Sequence, residues 1–236
     1  MRIPSRTPID ALLNGGLQTG LLTHVYGPAG SGKTTFALHS SVSTAELGHC
    51  ILYFDAEYTF PVNRLVQVLG GGKTDSLFNR IRIIRPDSFQ EQRDLFIELK
   101  ESGGKAWKVP DLALVVVDTI GCNYRLETAR RPQGRVFREL IEEQMPALLR
   151  AARKFDIAIL ILNQVTSSLS STEDNRPVGG DAISRYAKYE IRLEIEEKET
   201  GMRCATIEKT PKHVQVGRKA RYVLTSTGIT QPVLLV

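Results

Sequence analysis

The chain has 236 residues, 42% of them hydrophobic and 24% charged, with 31 Lys and Arg against 26 Asp and Glu. That composition excludes a disordered, collagenous or coiled-coil chain, and the length suffices for the well-buried core of one α/β domain. The net charge of +5 permits a polyanionic partner without requiring one.

Short apolar runs recur along the chain with helical patterns between them, as in a mostly parallel sheet with helices on both faces. The first run, residues 21–26, leads into Gly27-Pro28-Ala29-Gly30-Ser31-Gly32-Lys33-Thr34, a complete G-x-x-x-x-G-K-T loop followed by the helix-compatible TFALHSSVSTAEL. A strand before and a helix after are the flanks this phosphate-binding loop requires. Its glycines let successive backbone N–H groups face phosphate oxygens, and the helix N-terminus adds partial positive charge. Lys33 is the expected partner of the β- and γ-phosphates of a bound nucleotide, and the Thr34 hydroxyl a ligand to Mg²⁺.

The second run, residues 50–54, ends beside Asp55 and Glu57. Either carboxylate, at the carboxyl end of a strand, is placed to act as the base that orients water, and spacing does not choose between them. After the third run, Ile81–Ile84, Ser88-Phe89-Gln90-Glu91 has the form of a capping box and Gly103-Gly104 a stop signal, which predicts a helix between them. The fourth run, residues 112–117, ends at Asp118, the expected carboxylate for the metal's water shell.

Residues 123–138 carry Arg125, Arg130, Arg131, Arg135 and Arg138 against the single acid Glu127. Guanidinium groups at this density suit backbone phosphate, the alternative being a solvated face with helix-surface pairing, and Tyr124 is a single aromatic able to stack on a base. A helix is predicted after Gly134, with Pro146 kinking or interrupting it. The fifth run, residues 157–162, leads to Gln164, an amide able to hydrogen-bond a γ-phosphate on one side while a loop responds on the other. That loop, TSSLSSTEDNRPVGGD, is polar and aperiodic and reads as mobile. Residues 189–196, 203–209 and 220–225 alternate and read as antiparallel C-terminal strands.

Five segments in order resemble the RecA-type ATPase core of the archaeal and eukaryotic strand-exchange recombinases, and among these the short archaeal paralogues: RTPIDALLNGGLQTG, YFDAEYTF, LVVVD, LNQV and RPVGGD. The resemblance implies a RecA-like P-loop fold over residues 1–236. It selects Glu57 over Asp55 as the catalytic carboxylate, with Lys33 and Gln164 beside it, and extends the nucleotide contacts from Gly27 to Thr35. It implies ATP and Mg²⁺ as cofactors. It makes the arginine stretch the first DNA-binding loop and RPVGGD the end of the second. Arg176 is the one base there, beside Glu173 and Asp174, so the second loop's own pull on DNA should be small.

The family's arginine inside the phosphate loop is Gly30 here, leaving Arg64 as a candidate for the adenine contact. Lys209 stands where the family has an inter-subunit aspartate, so Lys209 or Lys212 is expected at a neighbouring copy's nucleotide in a homo-oligomer. Because the core begins almost at Met1, a single domain is expected, without the family's N-terminal helical DNA-binding domain or its Phe-x-x-Ala linker. Phe155-Asp156-Ile157-Ala158 matches that hook but runs into an apolar strand, and is read as core packing.

What the resemblance implies is a DNA-binding, weakly hydrolysing ATPase that assists recombination, with single-stranded DNA, a cognate RadA-type recombinase and a Holliday-junction resolvase as partners. Two alternatives share the nucleotide site: a strand-exchange recombinase in its own right, and a RecA-core signalling or scaffold ATPase that does not act on DNA. Cys50, Cys122 and Cys204 form no C-x-x-C and leave one unpaired in any scheme, and the start MRIPSRTPID lacks a signal peptide's apolar core. A cytoplasmic, nucleoid-associated protein with no membrane partner is expected.

Overall fold

The computed structural model describes residues 1–70, 77–165, 177–211 and 216–232. A nine-stranded sheet forms its centre, in the order β11-β10-β9-β8-β3-β7-β6-β4-β5. The parallel part comprises β3 (Leu22–Gly27), β4 (Cys50–Asp55), β5 (Ile81–Ile84), β6 (Leu112–Asp118) and β7 (Ala158–Gln164). On its other side β3 pairs in parallel with β8 (Tyr189–Ile195), and β9 (Met202–Lys209), β10 (Lys219–Thr225) and β11 (Gly228–Thr230) extend that edge in antiparallel fashion. A separate ribbon pairs β1 (Arg2–Ile3) with β2 (Leu17–Gln18).

The apolar runs are continuous because the central strands are buried on both faces. In β6, Leu114 and Val116 point into one core layer with Phe36 and Leu38 of α1 (Lys33–Glu46) and Leu65 of α2 (Val62–Leu69). Val115 and Val117 point into the opposite layer with Phe96 and Leu99 of α3 (Phe89–Ser102), Leu148 of α6 (Met145–Phe155) and Ile183 of α7 (Gly180–Tyr186). The period-two alternation of a strand thus feeds both layers from one short segment.

Ser88 caps α3 by accepting from Glu91 N at 3.0 Å, but the Glu91 carboxylate reaches back to Asp87 N at 2.6 Å, one residue before the cap. Pro146 does interrupt the predicted long helix. It lies in the first turn of α6, preceded by a π-helical segment (Leu140–Gln144) that joins it to α5 (Gln133–Glu139). Pro has no N–H for the preceding turn, and the wider turn accommodates that loss. Ile157 and Ala158 are 0% and 1% exposed, so the apparent hook is part of the core. Neither α2 nor α7 is among the predicted elements: α7 is too short for a clear period, whereas α2 does carry Val62, Leu65, Val66 and Leu69 at helical spacing, over only about two turns.

A candidate nucleotide site at the carboxyl ends of four strands

Gly27, Gln164, Asp118 and Asp55 end the adjacent strands β3, β7, β6 and β4, with Gly27 in register with Gln164 and Asp55 with Asp118. Open α/β sheets bind ligands at this edge. The loop 27–32 leads from β3 into α1, whose N-cap Gly32 takes a φ of 95°, a left-handed conformation open to glycine. Gly27 is required for a different reason. A Cβ there would lie 2.3 Å from the Leu193 carbonyl oxygen of β8, so the strand and the loop pack backbone to backbone.

Lys33 is 7% exposed, and its ammonium donates to the carbonyls of Gly27 and Pro28, each at 2.8 Å. Burial lowers its pKa to about 8, against the charges of Asp118 and Glu57, which raise it. The Thr34 hydroxyl donates to Asp118 Oδ2 at 3.0 Å, and the Tyr53 hydroxyl donates to the same oxygen at 2.6 Å. Burial raises the Asp118 pKa, and these two hydrogen bonds oppose the shift. A hydroxyl and a carboxylate in contact beside a phosphate loop form an oxygen donor set suited to Mg²⁺. The glycine cradle, the buried ammonium and this donor set fit a magnesium–nucleotide complex.

The two carboxylates that spacing does not separate have different surroundings. Asp55 is buried, accepts from Thr59 N at 3.0 Å and Phe60 N at 3.1 Å, and pairs with Arg85 at 3.1 Å, so it holds the turn after β4. Glu57 is half-buried, and its Oε1 accepts from Gln164 Nε2 at 3.1 Å and Thr119 Oγ1 at 3.0 Å. Lys33, Thr34, Asp118, Glu57 and Gln164 are therefore brought together as expected. They are joined by Tyr53, to which the resemblance of the YFDAEYTF segment assigns no role, and by Thr119, which no motif announces. Gln164 is also tied to the far end of the second loop. Its carbonyl accepts from Val178 N at 3.2 Å, Val165 bridges Pro177, and Asn163 Nδ2 donates to the Val178 carbonyl at 2.7 Å. Arg176 and the rest of residues 166–176 lie outside the described residues.

The arginine stretch spans α4 (Ile120–Thr128) and α5. Arg125, Arg130, Arg135 and Arg138 are exposed and, among the described residues, carry no ion pair. Arg131 differs: it pairs with Glu139 and, at 2.9 Å, with Glu127, and hydrogen bonds to both raise its pKa, that to Glu139 most. Its charge is spent inside the protein because Glu139, just beyond the basic stretch, returns to it across the α4–α5 turn. Tyr124 is 4% exposed and packs edge-on against Phe89 at 6.2 Å, so its ring belongs to the core and does not stack on a base.

Arg64 is likewise engaged elsewhere, donating to the carbonyls of Thr225 and Ser226 at 2.6 Å each, which fixes α2 to the β10–β11 turn. Lys209 ends β9 near the start of β8, at the sheet edge opposite Gly27, and donates to the Ser184 carbonyl of its own chain. Lys212 lies outside the described residues. No helix among the described residues is long and apolar enough to cross a membrane.

A mixed sheet with a phosphate-loop motif after its central strand, the Asp118 carboxylate two strands away and Gln164 between them defines the RecA-like class of P-loop folds. A crystal structure of the RadB recombinase superposes with a TM-score of 0.79 at 33% identity, covering 98% of this chain and 100% of that one. The chain belongs to the Rad51 family, whose model matches residues 3–232. Among curated relatives, the DNA repair and recombination protein RadB of Thermococcus kodakarensis is 35% identical over 94% of both chains. That of Methanobrevibacter smithii is 32% identical over 97% of this chain and 95% of its own.

Proposed function

We propose that this protein binds ATP with Mg²⁺ at the Gly27–Thr35 loop, hydrolyses it slowly, binds DNA, single-stranded in preference, and assists recombination and repair as an accessory to a RadA-type recombinase. The observation that carries this reading is the hydrogen bond between Glu57 and Gln164, which joins the catalytic carboxylate to the strand that opens the second DNA loop. The relatives, named DNA repair and recombination proteins, supply its biological direction.

The chemistry assigned to each residue follows from its surroundings. The Lys33 ammonium, held among backbone carbonyls, is ready to exchange them for phosphate oxygens. Thr34 would ligate the metal and Asp118 would hold its water shell; when bound, the ion neutralises charge on the phosphates. Both donors to Glu57 sit on Oε1, so Oε2 is the oxygen left to accept a proton from water. For Gln164 to hydrogen-bond a γ-phosphate, its amide must leave Glu57, which links release of the carboxylate to nucleotide state.

An accessory role is supported by the weak charge of the second loop, beside a first loop that keeps four exposed, unpaired arginines among the described residues. Arg131 is neutralised by Glu127 and Glu139, and Arg176 stands beside Glu173 and Asp174 in the sequence. One basic loop beside a weakly charged one suits assistance to a stronger DNA binder, with a Holliday-junction resolvase as a further partner, in the cytoplasm at the nucleoid. The test is joint-molecule formation. The protein alone is expected to form none and to raise the yield or rate when added to the cognate recombinase; efficient strand exchange by the protein alone refutes the accessory role.

A further inference from the structure

The phosphate loop is held from outside by strands that carry no nucleotide motif. Arg203 in β9 and Tyr222 in β10 are direct cross-strand partners, and both reach the loop from that single rung. The Tyr222 hydroxyl donates to the Ser31 carbonyl at 2.6 Å, and Arg203 Nε donates to the Gly30 carbonyl at 3.1 Å. The remaining Arg203 contacts fix the guanidinium itself, since Nη1 donates to the carbonyls of Glu197 at 2.9 Å and Met202 at 3.0 Å. Both side chains are buried, at 7% and 0% exposure. Together with the close approach of Leu193 to Gly27, three successive strands, β8, β9 and β10, press on the loop at Gly27, Gly30 and Ser31.

Two physical consequences follow. A trans peptide sets its C=O and N–H antiparallel, so pinning the Ser31 carbonyl outward turns the Gly32 N–H to the opposite side of that peptide plane. Gly30 and Gly32, at φ of 76° and 95°, have no Cβ to limit their rotation, so without an external hold the loop would lose this orientation. The second consequence is electrostatic. Arg203 is a buried cation whose partners are all carbonyls, and among the described residues it has no ion pair. A buried charge without a counter-ion is costly, and an anion arriving at the loop lowers that cost.

We propose that Arg203 and Tyr222 are positioning residues for the nucleotide, acting through Gly30 and Ser31, and that they set affinity for the phosphates without taking part in hydrolysis. The proposal rests on reading Gly27–Thr35 as the ATP site. A loop oriented before binding does not have to be ordered by the ligand, so the rung contributes to binding more than to turnover.

The experiment compares Tyr222→Phe, Arg203→Lys and Arg203→Gln with the wild type by calorimetric titration of MgATP and MgADP, by KM and kcat, and by thermal midpoint. Tyr186→Phe serves as a control, because it removes another tyrosine hydroxyl bonded to a backbone carbonyl, that of Ile141 at 2.8 Å, away from the loop. Tyr222→Phe deletes one oxygen and keeps the ring that packs beside Gly32, so it remains informative if Arg203→Gln does not fold. The expected result is an affinity about tenfold weaker for both nucleotides in Tyr222→Phe, with kcat within about twofold of the wild type. Arg203→Lys should fail to restore affinity, since an ammonium cannot reproduce the guanidinium fork, and Tyr186→Phe should bind as the wild type does.

Wild-type affinity in folded Tyr222→Phe and Arg203→Lys overturns the inference alone, as does an equal loss in Tyr186→Phe. A wild-type protein that binds no MgATP overturns the nucleotide reading and the inference with it.

Discussion

Gln164 Nε2 donates to Glu57 Oε1 at 3.1 Å, across a sequence separation of 107 residues. One hydrogen bond therefore joins the end of β7 to the turn after β4, and β7 continues directly into the second loop. Gln164→Ala is expected to leave ATP binding within about threefold of wild type and to lower DNA-stimulated turnover about a hundredfold. Glu57→Gln should reduce turnover with and without DNA by a similar factor. Steady-state ATPase assays with a parallel nucleotide titration separate the two effects.

Loop packing makes a sharper prediction than the motif does. Gly27→Ala places a methyl group 2.3 Å from the Leu193 carbonyl oxygen, backbone against backbone, so one strand or the loop must shift. Nucleotide binding should become undetectable while the far-UV circular dichroism spectrum stays close to that of the wild type. Gly30→Ala meets no atom within 4 Å, and its cost comes only from a φ of 76°. Titration of MgATP into each variant should show the smaller loss at Gly30.

The basic helices should divide by partner. Neutralising Arg125, Arg130, Arg135 and Arg138 removes exposed charges, so single-stranded DNA affinity should fall. The salt slope should shrink by roughly 0.7 for each phosphate that no longer has an arginine beside it. Arg131→Ala should hardly change that slope, because its guanidinium already serves Glu127 and Glu139. Fluorescence anisotropy over a salt series reads both outcomes.

Much of the parallel sheet is legible in the sequence because double-sided burial writes itself as unbroken apolar runs. The phosphate loop, Asp118 and Gln164 are legible because each sits at the end of such a run. What is not legible depends on contacts distant in sequence. Asp55 and Glu57 look equivalent until Arg85 and Gln164 arrive from other strands. Arg203 and Tyr222 read as ordinary alternating strand residues, and their contacts span 173 and 191 residues to the loop. Tyr124 misleads for the same reason, since the burial of its ring against Phe89 leaves no local pattern, whereas the pairing of Arg131 with Glu127 is an i,i+4 pair that the sequence does show.

Acid should loosen the attachment of the C-terminal strands. His39 of α1 accepts a hydrogen bond from Ile229 N at 2.9 Å through Nε2, which requires the neutral ring. Burial, aided by the charge of Arg64, lowers its pKa from 6.5 to about 4. The unfolded chain therefore binds a proton below about pH 6.5 that the folded protein refuses until about pH 4, and stability falls with pH across that window. Between about pH 7 and about pH 5 the loss attributable to His39 is about 2 kcal/mol. Urea unfolding midpoints at the two pH values should show it in the wild type and largely lack it in His39→Gln.

ATP turnover measured with and without single-stranded DNA, over a series of salt concentrations, tests most directly the claim that a nucleotide site is coupled to a DNA surface. Slow turnover that DNA stimulates is expected, with stimulation diminishing as salt rises and absent in Gln164→Ala. Turnover indifferent to DNA at low salt, in protein that binds MgATP, would contradict that coupling.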